Sequence, residues 1–185
     1  MPNEPLQPWT IRSSTYRIDE PFLRLRVDTV ELPDGVVIDN YFVRESRGFV
    51  VIAALTPDRQ LVLVRQYKHG IGEVLLELPA GMIDPGEAPD ACAVRELAEE
   101  TGYAGDPPLL LRSLITDPTG SNGRFHVFLI ENATPKFAQS LDVTEAINVE
   151  IASIPDLSAM VRDGRINSAS QVAAAYIALD HLGPA

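Results

Sequence analysis

The chain has 185 residues, 45% apolar and 22% charged, which suits one domain, or one domain with a small appendage, and excludes wholesale disorder. Twenty-six acidic residues against fifteen basic give a formal net charge of −11. This argues against a general binder of nucleic acid or anionic membrane, whose affinity depends on cationic side chains. The lone cysteine, Cys92, allows no internal disulfide and no cysteine zinc site. No apolar run approaches the roughly 18–20 residues of a membrane span, and Met1 to Pro8 carry neither the basic cluster nor the apolar core of a secretory signal. A cytoplasmic protein is expected.

Leu23, Leu25 and Val27 alternate with Arg24, Arg26 and Asp28, the period of a half-buried strand. Leu32-Pro33-Asp34-Gly35 signals a turn and Val36 to Arg44 the returning strand. Phe49 to Leu55 and Leu61 to Val64 are short continuous apolar runs, as in strands buried on both faces. Val74 to Leu78 reads as a strand stopped by Pro79. Ala88 to Thr101 reads as a helix stopped by Gly102. Leu109 to Ile115, Phe125 to Ile130 and Ile147 to Ile151 read as strands, with irregular stretches over Thr116 to Gly123 and Asn132 to Val143. Ile154 to Val161 and Ser168 to Leu182 read as helices. Strands and helices mix without regular alternation, so a mixed sheet with packed helices is expected.

The chemistry concentrates in Gly81-Met82-Ile83-Asp84-Pro85-Gly86-Glu87 and Arg95-Glu96-Leu97-Ala98-Glu99-Glu100-Thr101-Gly102-Tyr103. At about 100° per residue, Glu96, Glu99 and Glu100 share one side of a helix. Ala91, Val94 and Ala98 lie opposite and are expected to pack on the sheet. Like charges four residues apart cost a few tenths of a kcal/mol, more so near a helix C-terminus. A hard divalent cation would offset that cost, and Mg²⁺ is commonly shared between carboxylates and substrate phosphates. Arg95 is placed to hold an acid such as Glu87. The three histidines lie at no metal-ligand spacing from one another, and Cys92 reads as a packed small side chain.

Gly81, Glu87, Arg95-Glu96, Leu97, Glu99-Glu100, Gly102 and Tyr103 match the Nudix signature without a gap, and the sequence resembles the Nudix hydrolase superfamily. The resemblance implies an α/β fold, an α/β/α sandwich around a mixed sheet, with an N-terminal β-hairpin module. It implies cleavage of a nucleoside diphosphate linked to another moiety, with Mg²⁺ or Mn²⁺ and an attacking water. Glu77-Leu78-Pro79-Ala80-Gly81 following Val64-Arg65-Gln66-Tyr67, Pro118 sixteen residues after Gly102, and Gly164-Arg165-Ile166-Asn167-Ser168 before the last helix resemble the ADP-ribose pyrophosphatase branch.

That resemblance implies a β-rich dimerisation module over 1–47, a hydrolase domain over 48–185 and a homodimer. It implies Glu96, Glu99, Glu100 and the Ala80 carbonyl as metal ligands, with Glu99, Glu100 and Arg95 in the catalytic set. Glu145 is taken as the general base, with Glu131 and Glu150 as alternatives, or Glu99 activating the water. Arg65 is expected on a substrate phosphate, Pro118 at the substrate, and Phe49 or Trp9 against a base. The expected reaction is ADP-ribose plus water giving AMP and ribose 5-phosphate. GDP-mannose, other nucleoside diphosphate sugars, NADH and dinucleoside polyphosphates remain alternatives, as does a non-catalytic ADP-ribose sensor. RNA decapping is disfavoured by the acidic charge.

Overall fold

The computed structural model describes residues 5–183. The chain divides into two compact units. One takes in the chain up to Ser46 together with Ile115–Gly123; the other takes in Arg47–Leu114 and the described residues from Arg124 onward.

In the smaller unit β1 (Thr10–Glu20), β2 (Leu23–Glu31) and β3 (Val37–Glu45) form an antiparallel sheet in that order. Gly35 N–H donates to Leu32 O at 2.9 Å in the β2–β3 turn. The sequence pattern did not isolate β1 because its alternation is broken: the register with β2 slips between Ile11 and Ser13 and again between Tyr16 and Ile18. Arg26 holds the buried Asp28 and also Glu45. The loop containing Pro118 counts with this unit, hung on β3 through Arg44 N–H to Gly120 O at 2.8 Å and Tyr41 OH to Thr119 O at 2.7 Å.

The larger unit holds β4 (Phe49–Leu55), β5 (Gln60–Lys68), β6 (Glu73–Glu77), β7 (Ala80–Met82), α1 (Pro89–Thr101), β8 (Tyr103–Ala104), β9 (Leu109–Ile115), β10 (Arg124–Ile130), β11 (Thr134–Pro135), β12 (Ile147–Ser153), α2 (Ile154–Arg162) and α3 (Ala169–Leu182). The main sheet runs β12-β5-β4-β10-β9, with β10 parallel to β4 and β5 antiparallel to it. Alternation sorts the two apolar runs onto opposite faces. Val51, Ala53, Leu61 and Leu63 pack with Leu157 of α2 and Ala174 and Ala178 of α3. Val50, Ile52, Ala54 and Val62 pack with Cys92, Ala93 and Leu97 of α1. The result is the α/β/α sandwich around a mixed sheet.

One irregularity shapes everything near α1. β4 and β5 pair only at Ala54–Val62 and Leu55–Leu61. Beyond that they part: β6 pairs β5 from Val64–Glu77 to Lys68–Glu73, and β7 pairs β4 from Val51–Ala80 to Phe49–Met82. The Leu78-Pro79 crossing therefore sits where the sheet splits.

The packing face of α1 differs from the sequence reading. Cys92, Ala93, Leu97, Glu100 and Thr101 are its buried residues, whereas Ala91 is exposed and Val94 is 47% exposed. The carboxylates do not lie opposite the core; Glu100 belongs to the buried face. Removing the Leu97 side chain, 1% exposed in this layer, is expected to cost about 2–5 kcal/mol. The check is the urea midpoint of Leu97→Ala; an unshifted midpoint contradicts this packing.

Candidate active site

Glu100 is only 3% exposed, yet it is a carboxylate. One oxygen accepts from the Ala80 N–H at 3.0 Å, and among the described residues it makes no ion pair. Burial pushes its pKa up to about 8, opposed by the Ala80 hydrogen bond and raised further by Glu96. Ala80 is held firmly. Pro79 O accepts from Ile52 N–H at 2.8 Å. The buried side chain of Gln171, on α3, accepts from Leu78 N–H at 2.9 Å and donates to Leu78 O at 3.1 Å. A helix from one layer thereby fixes a turn that receives a carboxylate from the opposite layer.

Glu96 lies directly against Gly81: a Cβ there would overlap its carboxylate and oblige that side chain to shift. Burial raises the pKa of Glu96, opposed by Arg95. Arg95 is the hub of the remaining acids. It donates to Glu87 at 2.8 Å from both Nε and Nη2, and from Nη1 to Glu96 at 2.7 Å and Glu99 at 2.9 Å. The guanidinium holds the Glu87 carboxyl down at about 2. Arg95 therefore positions acids, which fits the fork geometry of its donors. Cys92 is fully buried beside it, its thiol pushed up to about 12 by burial and by Glu96 and Glu87, a packed and unreactive side chain.

Of the three loop acids considered for the base, Glu145 is the one whose charge acts on both Glu96 and Glu100. Its carboxylate accepts from Asp142 N–H at 3.1 Å in its own exposed turn. Glu150 is paired with Arg65, whose Nη2 donates to it at 3.2 Å. Arg65 shares the strand parity of Leu61 and Leu63, which pack with α2 and α3. The partner Arg65 has in the structure is thus Glu150, not an acid of α1. Lys68, passed over in the sequence, has the parity of Val62. It pairs with the buried Glu77 at 3.3 Å and lines a cavity of about 230 Å³ with Phe49, Ala80, Gly81 and Met82. Phe49 thus does adjoin Ala80, its ring stacked on Phe125 at 5.2 Å. Trp9 and Pro118 belong to the smaller unit, where Trp9 meets Tyr41 edge-on at 5.6 Å.

A family model described as the NUDIX domain matches residues 45–172. The chain belongs to the Nudix hydrolase family. A second model, the nucleoside diphosphate sugar hydrolase N-terminal domain, matches residues 9–43 of this Nudix protein. Similar sequences include the methanol dehydrogenase activator of Bacillus methanolicus, 31% identical over 159 residues and 85% of each chain. The ADP-ribose pyrophosphatase of Bacillus subtilis (strain 168) is 30% identical over 146 residues and 78% of each. The crystal structure of an ADP compounds hydrolase shares the fold, with a TM-score of 0.83 over 97% of both chains at 23% identity.

Nudix hydrolases use divalent metal ions, and the donors here suit one. Glu100, Glu96 and Glu99 offer only oxygen, they crowd together without an equal count of cations, and hard ions prefer such sites. Among the described residues no three of these groups already stand in ligating geometry, since Arg95 draws Glu96 and Glu99 to itself.

Because the folded chain holds a proton on Glu100 that the unfolded chain releases, stability is expected to fall as pH rises from about 4.5 through about 8. Each unit of the raised pKa costs about 1.4 kcal/mol once the medium is basic enough. Thermal unfolding in EDTA checks this: the Tm of the wild type should drop between pH 5.5 and 8.5, and that of Glu100→Gln should drop less. Parallel profiles would contradict it.

Proposed function

We propose that the chain hydrolyses the diphosphate of ADP-ribose, or of a related nucleoside diphosphate sugar, with Mg²⁺ or Mn²⁺, giving AMP and ribose 5-phosphate from ADP-ribose. The observation that carries this reading is the buried Glu100 carboxylate on the Ala80 N–H, beside Glu96 and within the field of Glu145. The similarity to an ADP-ribose pyrophosphatase and the matching N-terminal family model support the substrate class.

Glu96, Glu100 and the Ala80 carbonyl would hold the metal, with Glu99 sharing it. When bound, the metal neutralises phosphate charge and makes bound water more acidic. Glu145 takes a proton from the attacking water as its oxygen bonds to phosphorus. The bond from that phosphorus to the bridging oxygen breaks, and its electron pair leaves with the other phosphate. Arg95 sets the spacing of Glu96 and Glu99 by donating to both from Nη1. Lys68, rather than Arg65, meets the substrate phosphates from the cavity beside Ala80, and Phe49 forms its apolar wall.

We also propose that the protein is a cytoplasmic homodimer in which a second copy covers the N-terminal sheet. β1 is exposed along its whole length, and Trp9, Ile11, Tyr16, Ile18 and Phe42 present apolar surface that water disfavours. No helix among the described residues is long and apolar enough to cross a membrane.

Turnover of ADP-ribose, GDP-mannose, UDP-glucose, NADH and diadenosine polyphosphates, each with Mg²⁺ and with EDTA, tests the substrate. ADP-ribose should have the highest kcat/KM, abolished by EDTA; a preference for another compound would overturn the substrate, and binding without turnover would favour a sensor. Glu100→Gln should fold and lose at least ~100-fold in kcat. Near-normal turnover by that variant would overturn the assignment of the site. Light scattering on wild type and Ile18→Asp checks the dimer: the wild type should run at twice the chain mass and the variant at once.

A further inference from the structure

The last carbonyls of an α-helix have no partner inside the helix and must find one elsewhere. In α1 those carbonyls belong to the turn that carries Glu99 and Glu100, and the partners come from the segment after β11. Lys136 N–H and Phe137 N–H donate to Gly102 O at 2.9 and 3.0 Å, and Ser140 N–H donates to Glu99 O at 3.0 Å. The carbonyl of Glu100 itself accepts from a side chain, Gln139 Nε2, at 2.6 Å.

A primary amide has two N–H donors. The second hydrogen of Gln139 goes to Ile147 O at 3.3 Å, and Ile147 is the first residue of β12. One side chain thus spans the end of the helix bearing Glu96, Glu99 and Glu100 and the start of a sheet strand. Between Ser140 and Ile147 the chain runs out and back through a turn closed by Glu145 N–H to Asp142 O at 2.9 Å. The segment holding Glu145 is exposed over residues 142–146, so its own packing cannot fix it. Both its ends are fixed instead, one at Ser140 and one at Ile147, and both on or beside the C-terminal turn of α1.

We propose that Gln139 is a positioning residue for the reaction: it ties the Glu145 segment to the end of the carboxylate helix and so sets the approach of the base to the metal-binding acids. This rests on the assignment of Glu145 as the base. Both amide donors are spent on backbone carbonyls, so neither is left for a substrate phosphate. Its effect travels through the distance between Glu145 and Glu100, and misplacing a catalytic group by about 1 Å can cost on the order of 100-fold in rate.

Gln139→Met keeps length and removes both donors; Gln139→Asn keeps the amide but is one methylene short of bridging both carbonyls. The experiment compares kcat and KM for ADP-ribose with Mg²⁺ in wild type, Gln139→Met, Gln139→Asn, Glu145→Gln and the double variant Gln139→Met/Glu145→Gln. It adds amide hydrogen exchange at Ser140 and Glu145 without substrate or metal. Gln139→Met should lose about 10- to 100-fold in kcat with KM within about threefold, and Gln139→Asn should lose less. The double variant should be no slower than Glu145→Gln alone, because a residue acting through Glu145 has nothing left to act on. Exchange at Ser140 and Glu145 should quicken at least ~10-fold in Gln139→Met.

Unchanged exchange in a folded variant would overturn the proposal, as would a kcat loss that multiplies in full onto that of Glu145→Gln. If Gln139→Met does not fold, Gln139→Asn carries both tests. Near-normal kcat in Glu145→Gln would instead overturn the base assignment, and the exchange rates would still decide whether Gln139 holds the segment.

Discussion

A carboxylate taken out of water without an ion pair is among the least favourable things a fold can hold, and among the described residues Glu100 is such a group, with only the more distant charge of Lys68 in its favour. It is tolerated because β4 and β5 separate after Val62 and the turn at Leu78-Pro79 fills the gap. That turn aims the Ala80 N–H at Glu100, and the Gln171 side chain fixes the peptide of Leu78 from the other side of the sheet. The split in the sheet, the proline after Leu78 and the burial of α1 all serve that placement. A single hydrogen bond does not offset such burial, and the group stays protonated well above the ordinary carboxylate range. The site is therefore built at a cost in stability, as binding sites often are.

Arg95 addresses the other half of the electrostatic problem. One guanidinium bridges Glu87, Glu96 and Glu99, so three acids are held at fixed spacing by one cation. Glu87 is bound most fully, through two donors, and its Oε2 also accepts from Asp84 N–H at 3.0 Å, which closes the loop entering the helix. Glu99 is the most exposed of the three and the freest to change partner. The acids so arranged are graded: Glu87 structural, Glu96 shared, Glu100 committed to the buried side.

Much of this was legible in the sequence, and the failures have physical causes. The spacing from Gly81 to Gly102 reads directly because each position meets its own steric or charge demand. The continuous apolar runs of β4 and β5 foretell strands covered on both faces, and α2 and α3 cover one face while α1 covers the other. The same continuity hides the parity of β5: Leu61 and Val62 are equally apolar, so nothing says which face meets the carboxylates. Arg65 and Lys68 fall on opposite parities of β5, the first paired with Glu150 and the second with Glu77. The packing face of α1 is hidden in the sequence because a charged residue normally marks the solvent side, whereas Glu100 sits on the buried face of the helix. β7, β8 and β11 are too short to show a period. Gln139 and Gln171 act through backbone carbonyls and amides, so no sequence spacing announces them.

In the proposed function Glu100 and its neighbours form the seat of a divalent ion. Calorimetric titration of Mn²⁺ into the wild type and into Glu100→Gln, at pH 8 and without substrate, tests it most directly. Saturable binding by the wild type and at least ~10-fold weaker binding by the variant are expected. Equal affinity in the two proteins would contradict it.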